Sequence, residues 1–247
     1  MNTLQANINS TPLTSDCEIL QAIELQNKIL VEGLRWNLMS EFLTIGKFYL
    51  VKRCMDFVLA ALFVLFTWPV YLVIAVAVKL DSPGPVFFKQ TRMGLHGKKF
   101  QVWKFRTMTT DAEAKQMELE SRNEVTDGVI FKIRHDPRIT RIGSFLRRYS
   151  LDELPQLFNV LLGEMALVGP RPLPIRDVDN FSPHHFFRHE VLPGVTGLWQ
   201  VSGRSNIVDF EQVIQLDFNY IENWSLAMDL RILMKTVLVV FKKEGAY

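Results

Sequence analysis

The stretch FVLAALFVLFTWPVYLVIAVAV, residues 57–78, decides the fold. It carries no charge over 22 residues. As a helix it would be about 33 Å long, enough for the hydrocarbon core of a bilayer. The alternative is a buried core helix of a soluble protein, but uncharged runs of this length favour lipid. Pro69 stands near the middle, where it deletes a backbone hydrogen bond and crowds the preceding turn, so a kink is expected. Basic residues flank both ends: Lys47, Lys52 and Arg53 before the run, and Lys79, Lys89, Arg92, Lys98 and Lys99 after it. The positive-inside rule places such flanks on the cytoplasmic face. The run therefore reads as a re-entrant element that enters one leaflet, bends at Pro69 and returns, each arm about 17 Å long. The Thr67 hydroxyl is expected to help satisfy the carbonyl that the proline frees.

Three regions follow. Residues 1–48 form an N-terminal extension, with Ile19, Leu20, Ile23, Leu30, Leu34, Leu38 and Phe42 near helical spacing. Residues 49–80 are the membrane helix-break-helix, and 81–247 a cytosolic globular domain. In that domain, 86–90 and 100–105 read as two strands around a glycine-containing turn. Helices are expected over 111–122, around Ile139, Ile142, Phe145 and Leu146, over 152–162 with Gly163 closing it, over 209–223 and over 226–243. The last is apolar with a basic end, suited to a membrane surface. The stretches LVGPRPLP and LPGVTGLWQVSGR read as loops. The fold class is α/β: mostly helical with a small β-hairpin, monotopic in the membrane.

Composition narrows the function. Lys plus Arg is 28 and Asp plus Glu is 26, without the basic excess of a bulk nucleic-acid binder. Hydrophobic residues make up 48%. Cys17 and Cys54 suggest neither a disulfide framework nor a zinc site. The start, MNTLQANINS, lacks the features of a cleaved signal.

The chemistry-bearing stretch is RRYSLDELPQLFNVLLGEMALVGPRPLP, residues 147–174. Asp152 and Glu153 lie between Arg147–Arg148 and a Gly-Pro-Arg-Pro turn holding Arg171. One reading is a helix start. Ser150 and Glu153 match a capping box, and acids favour the positive end of the dipole. Pro155 fits that start poorly, whereas a start at Asp152 puts the proline in the first turn. The other reading is chemical: a carboxylate can attack phosphorus and form an acyl phosphate. Two anions repel, so a cation must be present, either Mg²⁺ bridging carboxylate and phosphate oxygens or arginines in bidentate contact. Arg147, Arg171, Lys104 and Arg106 are the candidates, although exposed basic residues are more often simply solvated.

Several segments carry a resemblance, in order along the chain: KRCMD (52–56), the apolar hairpin with Pro69, SPGPVFFKQTRMG, FQVWKFRTM, DPRITRIGSFLRRYSLDELPQLFNVLLGEMALVGPRP and LPGVTGLWQVSGR. With these the chain resembles the bacterial sugar transferase family, from about residue 52 to 243. The resemblance implies a monotopic phosphoglycosyl transferase. It would move a sugar-1-phosphate from a nucleotide diphosphate sugar, expected to be a UDP-sugar, onto polyprenyl (undecaprenyl) phosphate, releasing UMP. Asp152 matches the family's nucleophile, and Glu153 is the second acid of the dyad, with a role either in binding Mg²⁺ together with Asp152 or in polarising the site. Arg147 and Arg171 match positions for phosphate and charge balance, with Lys104, Arg106 and Arg204 beside them as phosphate-binding candidates. Asp56 is expected to pair with a basic residue of the globular part. Mg²⁺ is the implied cofactor, membrane lipid the surroundings, and a second copy of the chain a candidate partner; no nucleic acid is expected. The implied place is the cytoplasmic face of the bacterial inner membrane, at the first membrane step of a surface glycan, exopolysaccharide or lipopolysaccharide pathway. Departures are Ala166 where the family commonly has Ser, Gly-Glu-Met for Gly-Asp-Met, and Trp68 before the membrane proline. The competing readings are a catalytically inactive scaffold of the same fold and a single-pass anchor carrying a nucleotide-binding domain.

Overall fold

The computed structural model describes residues 46–115, 133, 136–203, 207 and 209–242. The helically spaced residues from Ile19 to Phe42 lie outside them, as does most of the helix expected over 111–122. The chain divides into two compact units, Met1–Tyr49 and Leu50–Tyr247, and the second holds all that follows except the first turn of α1.

Helix α1, Gly46–Asp81, runs 36 residues and is unbroken at Pro69. It is long and apolar enough to cross a membrane. Pro69 leaves the Leu65 carbonyl without its usual donor. The Thr67 hydroxyl does not serve that carbonyl; it donates one position pair earlier, to Phe63 O at 2.6 Å. Burial is confined to the two ends of the helix. Lys52, Asp56 and Ala60 are buried at one end and Ile74 and Val78 at the other, all at i, i+4 spacing, while no residue of 61–73 is buried. Leu65, Phe66 and Trp68 are 63%, 75% and 60% exposed, an apolar surface too large for water to be its solvent.

Strands β1 (Phe87–Met93) and β2 (Lys99–Phe105) form an antiparallel hairpin, Phe87 opposite Phe105 and Met93 opposite Lys99. The first strand starts one residue later than the alternation suggested and runs three further, because Thr91, Arg92 and Met93 continue the pairing. The 3₁₀ turn Leu95–Gly97 reverses the chain with His96 and Gly97 at positive φ. Helix α2 (Arg141–Arg148) starts at Thr140, whose side chain accepts from Gly143 N. Asp81, at the end of α1, accepts from Ile142 N at 3.0 Å and ties the two helices together. Ile74, Val78, Phe105 and Leu146 make a core between α1, β2 and α2.

A 3₁₀ turn (Leu151–Glu153) and helix α3 (Gln156–Leu161) follow, and Gly163 leaves the helix at φ 84°. Buried Asn159 splices α3 to β2: its Nδ2 donates to Gln101 O at 2.7 Å and its Oδ1 accepts from Trp103 N at 3.2 Å. The segments read as loops contain a second sheet. Strand β3 (Ala166–Val168) pairs in parallel with β4 (Gly194–Thr196), and the short helix α4 (Ile175–Val178) lies between them in sequence. The two strands approach so closely that a Cβ on Gly194 would meet the Gly169 backbone. Helices α5 (Leu198–Val201), α6 (Phe210–Glu222, capped by Asp209) and α7 (Leu226–Lys242) complete the described chain. Leu173, Val178, Phe210, Val213 and Ile214 form the second core.

The N-terminal end of α1 is anchored by charge. Asp56 pairs with Lys52 (3.3 Å) and Arg53 (4.0 Å) of its own helix and, among the described residues, not with a base of the globular part as expected. Helical spacing brings these three together, and the globular part contributes an acid instead. Lys52 Nζ reaches Asp229 Oδ2 of α7 at 2.6 Å, and Asp229 also accepts from the Tyr220 hydroxyl and Trp224 Nε1. Arg53 donates to the Met165 and Val160 carbonyls.

Candidate active site

The splice at Asn159 sets α3 against β2, and this brings Lys104 to the 3₁₀ turn. Lys104 Nζ donates to Glu153 Oε1 at 2.8 Å. Arg171 arrives from the turn after β3. Its Nη1 donates to Glu153 Oε2 at 3.0 Å and its Nη2 to Oε1, a two-armed contact. The turn is held from behind. Arg92 of β1 donates to Pro172 O, and Arg188 donates to Arg171 O at 3.0 Å while paired with Asp217 at 2.6 Å. Arg147 of α2 donates to Thr107 Oγ1 at 2.9 Å and places its charge beside Asp152.

Asp152 and Glu153 are adjacent in sequence and unlike in surroundings. Glu153 has both oxygens engaged. Asp152 is 7% exposed and accepts no hydrogen bond among the described residues. Burial would raise the Glu153 carboxyl, but Arg171 and Lys104 overcome it and hold the group well below the usual carboxylate range. Burial raises Asp152, and the Glu153 charge adds to this against the opposing Lys104, Arg147 and Arg171. Burial lowers Lys104 and Arg147, and pushes Arg92 down to about 10. For Arg171 the attraction of Glu153 outweighs burial and raises it. Two carboxyls driven apart by environment are the pattern of a dyad with divided roles.

The capping reading of this stretch is not what forms. Ser150 stands at the N-cap of the turn in the left-handed region, φ 53°, and makes no side-chain cap bond. The dyad faces a cleft of about 710 Å³. Among its walls are Arg92, Lys104, Arg138, Arg147, Arg171 and Arg176 against the acids Glu113, Asp152, Glu153 and Asp177, so its lining is net positive. A cleft of this size and sign suits a polyanionic ligand.

The structure brings together Asp152, Glu153, Arg147, Arg171 and Lys104. Arg106 lines the cleft too, but its guanidinium is engaged with the 82–85 turn, donating to Pro85 O, Ser82 Oγ and Ser82 O. Asp56, Thr67 and Pro69 belong to α1, apart from the dyad. Arg204 lies outside the described residues. Sequence reasoning missed Arg92, Arg188, Asp217 and Asn159 as supports. The one available signal was Arg92, a charge in the middle of a strand pattern.

The buried, unbonded Asp152 carboxylate fits a divalent cation. Glu153 fits one less well, since Arg171 and Lys104 already occupy its oxygens. Among the described residues, one further group has metal-like spacing, His184, His185 and Glu211. There His185 Nδ1 accepts from Ser182 N at 3.1 Å, which puts the proton on Nε2, and Nε2 donates to Glu211 at 2.7 Å. That imidazole has no lone pair left for a metal and acts as a capping residue.

Comparison with known proteins places the chain. The profile of the bacterial sugar transferase family matches residues 47–243. The chain belongs to the bacterial sugar transferase family. Galactosyl transferase CpsE of Streptococcus agalactiae serotype III (strain NEM316) is 41% identical over 205 residues, covering 81% of this chain and 45% of that protein. UDP-glucose:undecaprenyl-phosphate glucose-1-phosphate transferase of Escherichia coli (strain K12) is 42% identical over 205 residues, 80% of this chain and 42% of that protein. The uncharacterized sugar transferase EpsL of Bacillus subtilis (strain 168) is 43% identical over 197 residues, 79% of this chain and 90% of that protein. The chain thus spans less than half the length of the first two relatives and nearly all of the third. Within this bacterial sugar transferase, the family match takes in α1, the dyad and every cation that faces it.

Proposed function

We propose that this chain is a phosphoglycosyl transferase that moves a sugar-1-phosphate from a UDP-sugar onto undecaprenyl phosphate at a membrane surface. The observation that carries the reading is the Asp152 carboxylate: buried, without a hydrogen bond among the described residues, at a cation-lined cleft, beside a Glu153 that Arg171 and Lys104 keep ionised. The printed activities of the relatives support it.

The chemistry would run in two displacements. An Asp152 oxygen attacks the β-phosphorus of the nucleotide sugar, the bridging P–O bond breaks, and UMP leaves with that oxygen. A phosphate oxygen of undecaprenyl phosphate then attacks the same phosphorus and the aspartyl bond breaks, returning Asp152. Arg171 and Lys104 hold Glu153 as an anion and carry surplus positive charge toward the diphosphate. Arg147 faces Asp152 and favours its ionised form against burial. Mg²⁺, held by Asp152, would neutralise the charge of the diphosphate when bound.

The form of α1 supports a re-entrant seat. Arg53 and Tyr71 are 18 residues apart, about 27 Å along a straight helix. Both reach the same short segment: Arg53 to the Val160 carbonyl and Tyr71 to the Leu154 carbonyl. Those carbonyls are six residues apart, about 9 Å in helical conformation. A bend near Pro69 brings both arms to them and leaves the apolar middle to the lipid. The basic flanks then share the cytoplasmic face with the cleft, where the nucleotide sugar is found and where the lipid phosphate lies at the headgroup plane.

The test uses the full chain in detergent or a bilayer with a panel of UDP-sugars and no acceptor. UMP release with a sugar-phosphate adduct on Asp152 by intact-protein mass spectrometry is expected, and Asp152→Asn should abolish both. An adduct on another side chain, or substantial turnover by the Asn variant, would refute the assignment.

A further inference from the structure

The dyad turn has one support that comes from the membrane helix itself. Tyr71 lies two residues after Pro69, on the returning arm of α1. Its hydroxyl donates to Leu154 O at 2.7 Å, the carbonyl immediately after Glu153. Its ring packs against Phe105 and Phe158 at 5.7 and 5.8 Å between centroids. Phe105 follows Lys104, the residue that grips Glu153, and Phe158 belongs to α3. Leu151 and Leu154, which bracket the dyad, pack with Tyr71 against the core of Ile74, Val78, Phe105 and Leu146.

The turn needs such a support. It begins at Ser150 with φ 53°, a conformation that costs a residue with a side chain roughly 1–2 kcal/mol and persists only when its neighbours impose it. It ends at Leu154, whose carbonyl also accepts from Leu157 N at 3.1 Å, the entry to α3. The hydroxyl of Tyr71 therefore sits on the joint between the reactive turn and the helix that follows it.

We infer that Tyr71 is a positioning residue: its hydrogen bond to the Leu154 carbonyl couples the seating of the membrane helix to the placement of Asp152 and Glu153. This rests on the phosphoglycosyl transferase reading above. Tyr71 touches no substrate. It acts through the backbone of the turn, and a sub-ångström drift of a nucleophile is enough to slow an in-line attack on phosphorus.

Tyr71→Phe removes the hydroxyl and keeps the ring. The experiment is the pre-steady-state burst of UMP from the full chain in a bilayer with a UDP-sugar donor. The burst amplitude counts correctly folded sites, and the burst rate reports how well each is arranged. The expected result is a burst slowed about 10-fold at wild-type amplitude, with KM for the donor unchanged. Tyr71→Met, flexible and without a hydroxyl, should do the same and stands in should the Phe variant fail to purify. Val73→Ala, on the exposed side of the same turn, should leave the burst as it is. A wild-type burst rate in the Phe variant overturns the inference, as does a smaller amplitude at unchanged rate, which is the mark of a purely structural role. Absence of any UMP from the unaltered chain sinks the functional reading itself, and this inference with it.

Discussion

Arg171 and Glu153 meet in a two-armed ion pair, with Nη1 on Oε2 at 3.0 Å and Nη2 on Oε1, while Lys104 shares Oε1. Two cations on one carboxylate leave the neighbouring Asp152 to its own environment. Lysine cannot reproduce a fork on a carboxylate. Arg171→Lys should therefore slow UMP release about 10- to 100-fold with little loss of fold. Arg171→Met should also cost up to about 3 kcal/mol of stability, because a partly buried anion loses one of its two partners. Paired activity and denaturant-unfolding measurements check this; a Lys variant with wild-type turnover would show that a point charge suffices.

Lys52 is the only cation within hydrogen-bond distance of Asp229 among the described residues, and it faces Asp56 as well. Lys52→Met would leave two fully buried carboxylates with Arg53 alone, at 4.0 Å from Asp56. A loss of about 3–5 kcal/mol is expected. Asp229→Asn keeps an oxygen for the Tyr220 hydroxyl on Oδ1 but turns an amide N–H toward the donors Trp224 Nε1 and Lys52 Nζ on the Oδ2 side, so it too should be destabilising. The two changes together should cost less than their sum, because they break one network. Thermal unfolding of the three variants in detergent measures each value.

Gly143 lies where α2 crosses the strand exit. A Cβ there would fall within contact distance of the Thr107 carbonyl, a backbone group that cannot swing away. Gly143→Ala should push α2 outward and pull Arg147 from Thr107 Oγ1. The expected outcome is a melting temperature lower by several degrees and a loss of UMP release larger than the loss of folded protein. Equal losses in both would mean that α2 relaxes without disturbing Arg147.

Acid sensitivity should centre on His189. Burial, with Arg188 beside it, lowers this imidazole to about 4 from 6.5. The folded state thus prefers the neutral ring. Its contribution is complete above pH 6.5 and drains away as pH falls toward 4, by about 3 kcal/mol in all. Asp217, raised to about 6 by burial despite its Arg188 partner, acts in the opposite sense over nearly the same window. Comparing wild type with His189→Phe across pH 4–7 isolates the imidazole: the wild type should lose more stability on acidification than the variant. Parallel curves would rule this out.

The hairpin, α2, α6 and α7 were legible because each carries an apolar period over at least two turns or four strand residues. The β3–β4 pair was not. Its strands are three residues long, β3 is buried on every side, and glycines and prolines around them give a loop composition. Their pairing is set by close backbone approach, which leaves no alternation to read. The dyad and Arg171 were visible from chemistry and spacing. The role of Glu153 as the one held anion was not, because it depends on where Lys104 and Arg171 arrive from distant parts of the chain. Asp56 illustrates the same limit: its acid character pointed to a basic partner, and only the folded packing revealed that the base sits one turn away and passes the charge on to Asp229.

The Lys52–Asp229 contact joins residues 177 positions apart. A ribosome adding 5–20 residues per second needs about 10–35 s to bridge that gap. During this interval the lipid-seeking segment has already emerged, while the group that will secure its leading end does not yet exist. Early capture by the bilayer must then precede the final latch, so a transcript stalled before codon 229 would yield a nascent chain inserted in the membrane but unlocked, and exposed to proteolytic surveillance.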